Sequence, residues 1–147
     1  MKILLGKDGI FVTESHSLLK LITEMQYDSI YHEHLRYYSL RPLIHLFNKH
    51  GMEIFDVEDS PTHGGSIRVY ACNKGEYPKT PNVQAWIEKE EQAGLYKKET
   101  YDEFRNNVAK TKFELQEIVR KVRGEGGRIF GIGAPAKGST LLNYCKL

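Results

Sequence analysis

Residues 39–51, SLRPLIHLFNKHG, predict a helix with both ends marked in the sequence. Ser39 is a candidate N-cap, and Gly51 stands where a C′ glycine ends a helix, directly after two residues that suit a helix C-terminus. The apolar side chains in between recur at helical spacing: Leu40, Leu43, Ile44 and Phe47. The pattern therefore predicts a helix that turns one apolar face to a core.

The segments on either side of this helix predict strands. Residues 52–58 alternate and residues 66–71 predict a second strand, so we expect the two to pair antiparallel across a polar connection at 59–65. Upstream, residues 9–14 predict a strand, residues 17–25 a helix and residues 31–39 a loop. The first half is thus expected to run β-α-loop-α-β-β, which indicates an α/β fold.

A glycine and two prolines in residues 74–82 predict a linker between two units. We expect one domain at 1–75, the linker at 76–82 and a second domain at 83–147. Helical spacing recurs at 83–93 and 99–122. After these helices the sequence predicts a strand at 128–132, a turn at 133–138 and the opening of a helix at 139–144. Because no later strand completes a βαβ unit, and residues 3–5 resemble a last helical turn, we expect the chain to be part of a longer protein.

The composition excludes several classes of partner. The 147 residues are 40% apolar and 27% charged with a net charge of +2, which is typical of a soluble globular protein without a basic track for nucleic acid or an anionic membrane. Cys72 and Cys145 are far apart, so neither a disulfide framework nor a zinc knuckle is indicated. With no apolar run of ~20 residues and no signal peptide, a cytoplasmic location is expected.

Residues 31–39, YHEHLRYYS, contain two imidazoles, a carboxylate, three phenols and a guanidinium. Burying such a set is costly unless each group is paired, so its density favours a reaction site over a folding core. The alternative is that tyrosines and Leu35 are core while the histidines are solvated. A metal site is disfavoured, because the zincin pattern His-Glu-x-x-His is broken and Arg36 would repel a cation. An imidazole supported by a carboxylate is instead suited to proton transfer near neutral pH.

Two glycine motifs complete the pattern. In residues 63–66, HGGS, glycines supply positive φ in a connection, or allow a ligand to approach the backbone closely. Residues 131–136, GIGAPA, fit a dinucleotide fingerprint between a predicted strand and a helix, although residues 137–139, KGS, do not make a Walker A loop.

Three stretches, taken in order, resemble the sugar-nucleotide C-methyltransferases: YHEHLRYYSL (31–40), HGGSIRVY (63–70) and GIGAPAKGSTLLNY (131–144). This family methylates a carbon of a nucleotide-linked keto-deoxysugar with S-adenosylmethionine. It combines a zinc-binding domain, a methyltransferase domain and a C-terminal Rossmann-like domain. The resemblance implies that this chain holds the end of a class I (Rossmann-like) methyltransferase sheet, a helical segment and the start of a second Rossmann-like α/β domain.

The resemblance also implies roles for particular residues. His34 is the expected base, with Glu33 and Tyr31 as its polar partners. The expected substrate-binding residues are His63, Ser66, Arg68, Gly133 and Lys137, the last two near the nucleotide.

The family's glycine-rich S-adenosylmethionine loop and cysteine-rich zinc module do not occur here, so cofactor-binding residues are not assigned and the chain alone is expected not to methylate. The alternatives are an NAD(P)-dependent oxidoreductase fragment and a non-catalytic nucleotide-sugar-binding module. Self-association through an exposed sheet edge is also expected.

Overall fold

The fold is mixed α/β, as predicted, in a computed structural model that describes residues 2–133 and 135–147. The predicted order of elements before residue 74 is confirmed. Short 3₁₀ turns lie at Tyr27–Ser29 and Thr62–Gly64. The helices and strands are α1 (Lys2–Leu5), β1 (Phe11–His16), α2 (Leu18–Thr23), α3 (Leu40–Lys49), β2 (Met52–Ser60), β3 (Ser66–Asn73), α4 (Pro81–Gln92), α5 (Lys98–Gly124) and α6 (Ala136–Cys145).

The three strands form one antiparallel sheet in the order β1-β3-β2. The predicted antiparallel pairing of β2 with β3 is confirmed, with an irregularity in register between Ile54 and Asp56. On the other side of β3, His16 at the end of β1 lies opposite Ser66 at the start of β3. The first residue of β3 and the last of β1 therefore meet at one end of the sheet, which is where the candidate site lies.

The core lies between one face of this sheet and two helices. Alternation in β3 directs Ile67, Val69 and Ala71 to this face, where they pack with Leu40 and Leu43 of α3. Helix α4 adds Val83 and Trp86 to the same core, so the helix that follows the predicted linker packs on the sheet. The domain division at 76–82 stays a prediction.

The start of α3 is capped by a side chain that is distant in sequence. Ser39 has the extended backbone of an N-cap, but its side chain makes no capping hydrogen bond. Instead the backbone N–H of Leu40 donates to both carboxylate oxygens of Glu90, at 2.8 and 3.1 Å. Glu90 is fully buried and also accepts from Trp86 Nε1 and the Tyr96 hydroxyl. The helix was predicted correctly, whereas the group that caps it was not.

The predicted strand at 128–132 is wrong. These residues have no regular structure in the described part of the chain, and Ile132 is fully exposed. A strand needs a neighbour to pair its backbone groups, and the three strands of the sheet lie elsewhere. Helix α6 begins at Ala136, earlier than predicted, and Tyr144 packs edge-on against Tyr27 with ring centroids 5.6 Å apart. This contact brings α6 beside the 3₁₀ turn at Tyr27–Ser29, which precedes the 31–39 loop.

Within the ranges described above, no helix has the combination of length and hydrophobicity needed to cross a membrane.

Candidate active site

A cleft of about 400 Å³ opens at the end of the sheet where β1 and β3 meet. Four residues that the sequence marked as catalytic or substrate-binding line it together: Glu33, His34, His63 and Ser66. The first two come from the 31–39 loop and the others from the connection between β2 and β3. The fold therefore brings two separate sequence motifs into one concave site.

Backbone hydrogen bonds hold the 31–39 loop against the end of β1. The N–H of Tyr38 donates to the carbonyl of His16 at 3.4 Å, and the N–H of Leu18 donates to the carbonyl of Tyr38 at 2.9 Å. Earlier in the loop, the N–H of His34 donates to the carbonyl of Tyr31 at 3.0 Å. These contacts fix the loop backbone next to the sheet, so that His34 faces the cleft from a supported position.

Aromatic rings surround the imidazole of His34. Tyr31 packs edge-on against it with ring centroids 4.8 Å apart and an interplanar angle of 86°. Tyr37 lies roughly parallel to it at 6.3 Å, and its hydroxyl donates to the carbonyl of Ser29 at 3.0 Å. Burial raises the pKa of Tyr37. Tyr31 thus contacts the candidate base, whereas His32 is exposed and 6.0 Å from the Tyr31 ring.

The HGGS turn has the backbone that its glycines predicted. His63, Gly64 and Gly65 have φ angles of 54°, 87° and 116°. A Cβ on Gly65 would lie 2.7 Å from Lys20 Cγ, and the carbonyl of Gly64 accepts a hydrogen bond from Gln26 Nε2 at 2.7 Å. The turn therefore packs closely on α2 and the segment after it, which sets the position of His63 in the cleft.

The remaining predicted binding residues lie at different distances from the cleft. Lys137 of α6 reaches its rim, since Nζ lies 3.5 Å from the carbonyl oxygen of His63. Arg68 points along the exposed sheet face, where it forms ion pairs with Glu14 at 2.8 Å and with Glu58 at 3.5 Å. Gly133 lines a separate cavity of about 460 Å³ near the start of α6. Lys137 thus lies next to the HGGS turn, whereas Arg68 and Gly133 do not line the cleft.

Two cleft residues were missed in the sequence. Glu14 lies on the cleft wall, and hydrogen bonds from Thr62 and then Arg68 lower its pKa. His16 is buried and lines the same cleft, with its ring centroid 5.7 Å from that of His34. The predicted strand ended at residue 14, and extending its alternation by one step would have placed His16 beside Glu14 on one face.

The environment of His16 disfavours its charged form. Burial is the largest cause that lowers its pKa, and the ammonium of Lys137 acts in the same direction. The hydrogen bond to Gln26 has the opposite, weaker effect. The cleft therefore combines one buried imidazole with two further imidazoles, a lysine at the rim and the Glu33 carboxylate.

The described residues hold no cluster of three or more side chains that could bind a metal ion. They also do not fit S-adenosylmethionine. A class I site needs a glycine-rich loop after a parallel strand, whereas the strands here are antiparallel and the 131–136 motif follows an irregular segment.

Comparison with known proteins identifies the family of the chain. The model of the C-methyltransferase C-terminal domain matches residues 61–147, so the chain belongs to the C-methyltransferase family, as its motifs predicted. Over 145 residues, 98% of the chain, it is 38% identical to the C-methyltransferase NovU of Streptomyces niveus. The chain spans 34% of the length of NovU, about a third of that relative.

Proposed function

We propose that the cleft is the proton-abstraction site of an S-adenosylmethionine-dependent C-methyltransferase that acts on a nucleotide-linked keto-deoxysugar. The observation that carries this proposal is the convergence of His34 and Glu33 with His63 and Ser66 in one cleft, in a chain of the C-methyltransferase family. A base, a carboxylate partner and hydrogen-bond donors are what enolisation of a ketone requires.

In this proposal His34 removes a proton from the carbon next to the ketone. The C–H bond breaks, an N–H bond forms on the imidazole, and the electron pair moves to the ketone oxygen to give an enolate. Glu33 lies beside His34 in the cleft wall and stabilises the imidazolium that results. His63 faces the developing negative charge from the opposite motif.

S-adenosylmethionine, which C-methyltransferases use in general, would supply the methyl group when bound in the full-length enzyme. Because the described residues do not fit this cofactor, we propose that the chain alone does not methylate the substrate. The zinc that the resemblance implies for another domain is not used in the proposed step.

The nucleotide is proposed to extend from the cleft towards α6. Lys137 at the rim offers a positive charge to a diphosphate, and the cavity at Gly133 lies by the N-terminus of the same helix, which favours negative charge. The oxidoreductase alternative gains no support from this region, because a dinucleotide fingerprint requires a strand before the glycines.

The assignment of domains is part of the same proposal. Residues 1–75 would form the end of a class I methyltransferase sheet, and residues 83–147 the start of a second Rossmann-like domain. The outer edge of β1 is proposed to mediate self-association, since β1 is an edge strand of the sheet.

The experiment that tests the catalytic role replaces His34 in a full-length C-methyltransferase that contains this chain. We expect His34→Ala to abolish methylation of the keto-sugar nucleotide while leaving its binding, measured by calorimetry, unchanged. His32→Ala is the matched control and should retain both, because His32 is exposed. Full turnover by His34→Ala would refute the assignment of the base.

A further inference from the structure

Gln26 fixes the position of the proton on the imidazole of His16. The side-chain nitrogen of Gln26 lies 2.7 Å from the carbonyl of Gly64 and 2.7 Å from a carboxylate oxygen of Glu24. Both neighbours are acceptors, so the amide must present its N–H groups to them and its oxygen to His16. That oxygen lies 3.0 Å from His16 Nε2, which must therefore carry the hydrogen.

The other ring nitrogen, Nδ1, is left as an acceptor. In a neutral imidazole one nitrogen donates and the other keeps a lone pair, so a proton on Nε2 leaves the lone pair on Nδ1. Nδ1 is buried and has no hydrogen-bond partner in the described part of the chain. His16 is only 8% exposed, and it lines the cleft beside His34.

Burial disfavours a second proton on this imidazole. It is the largest cause that lowers the pKa of His16, and the ammonium of Lys137 acts in the same direction. A buried acceptor without a partner is costly, and it gains most from a neutral donor that arrives with the ligand. A ketone or phosphate oxygen carries no hydrogen to donate, and a cationic ligand would be repelled by Lys137.

We propose that His16 Nδ1 accepts a hydrogen bond from a hydroxyl group of the sugar, next to the carbon that His34 deprotonates. This deepens the proposed function and rests on it. His16 is then a substrate-binding residue that selects a hydroxyl over a deoxy carbon at one ring position, and Gln26 is the positioning residue that holds it in the accepting tautomer.

The test compares two variants of His16 in the full-length protein. Asn places its side-chain oxygen near the position of Nδ1, whereas Gln places a polar atom near Nε2 and leaves the Nδ1 position empty. With a thymidine-diphosphate-linked keto-deoxyglucose as the probe in calorimetry, we expect His16→Asn to bind within a few-fold of the wild type and His16→Gln roughly tenfold more weakly. Thermal unfolding of both variants checks that they fold.

Equal binding by His16→Gln and the wild type, or equal losses in the two variants, would overturn the proposal. A second measurement separates it from the proposed function. Long-range proton–nitrogen NMR of the free protein should show His16 as the Nε2–H tautomer, and an Nδ1–H tautomer would overturn the His16 assignment whatever the ligand. A wild type that shows the expected tautomer but binds no keto-sugar nucleotide would instead refute the proposed function and, with it, the sugar hydroxyl as the donor.

Discussion

The rings of His16 and His34 meet edge to face with centroids 5.7 Å apart, one at the end of β1 and the other in the 31–39 loop. Tyr38 joins the two segments, because its backbone pairs with both His16 and Leu18. The cleft thus contains one imidazole proposed as a base and a second, buried imidazole proposed as a hydrogen-bond acceptor. Both side chains are imidazoles, so the different roles proposed for His16 and His34 depend on the residues around each ring.

The first prediction concerns the close approach of Gly65 to Lys20. We expect Gly65→Ala to lower the free energy of unfolding by about 1–3 kcal/mol, because its φ of 116° disfavours a side chain and a Cβ would lie 2.7 Å from Lys20 Cγ. Gly75→Ala is the control, since Gly75 also has positive φ but open space around it. Urea unfolding should show the larger loss at Gly65, and equal losses would contradict the packing described here.

The second prediction concerns Glu90 as the buried cap of α3. Glu90→Ala leaves the N–H of Leu40, the indole N–H of Trp86 and the hydroxyl of Tyr96 without their acceptor. We expect a loss of about 3 kcal/mol or more in the free energy of unfolding, since each buried unsatisfied group costs ~1–3 kcal/mol. Glu91→Ala removes an exposed ion pair to Arg41 and should change it by less than about 1 kcal/mol. Similar values for the two variants would contradict the capping role.

The third prediction concerns two tyrosines in alkaline solution. Burial, with a hydrogen bond to Cys145, raises the pKa of Tyr27 from 10.0 to about 12, and burial next to Glu90 raises that of Tyr96 to about 12. Because the folded state holds these protons more tightly, their stabilisation is complete below pH 10 and is lost as the pH rises towards 12.

Ultraviolet absorbance of tyrosinate should therefore show two tyrosines that ionise only near pH 12 in the folded chain. Tyr27→Phe and Tyr96→Phe should each remove one of these two groups. Titration of all nine tyrosines near pH 10 in the folded chain would contradict this result.

The fourth prediction concerns the outer edge of β1. The other edge of the sheet is partly covered, because the N–H of Thr80 donates to the carbonyl of Phe55 in β2 at 2.8 Å. Val12 on β1 is 47% exposed. We expect the purified chain to self-associate in light scattering and Val12→Lys to reduce this, since a charge on an edge strand opposes pairing. A wild-type chain that stays monomeric at high concentration would refute the proposed edge contact.

Features that depend on local sequence were predictable. The apolar spacing and end signals of 39–51 define α3, and the alternation on either side of residues 59–65 defines the β2–β3 pair. Two sequence features each predicted one side of the cleft: the titratable groups of residues 31–39 and the HGGS motif at 63–66.

Features that depend on distant contacts were not predictable. Glu90 caps α3 from another helix, and its charge in an amphipathic sequence gave no sign of full burial. His16 joins the site only because β1 continues two residues further and pairs with β3. The apolar residues at 128–132 have strand propensity, but strand formation needs a neighbour that local sequence does not specify.

The most direct test of His34 as the base is hydrogen exchange at the substrate carbon next to the ketone. The full-length enzyme is incubated with the keto-sugar nucleotide in deuterium oxide without S-adenosylmethionine, and NMR follows replacement of the proton by deuterium. We predict exchange catalysed by the wild type and by His32→Gln, and a rate ~10²–10⁴-fold lower in His34→Gln, because a positioned base contributes a factor of that size. Exchange by His34→Gln at the wild-type rate would contradict the central claim that His34 is the base.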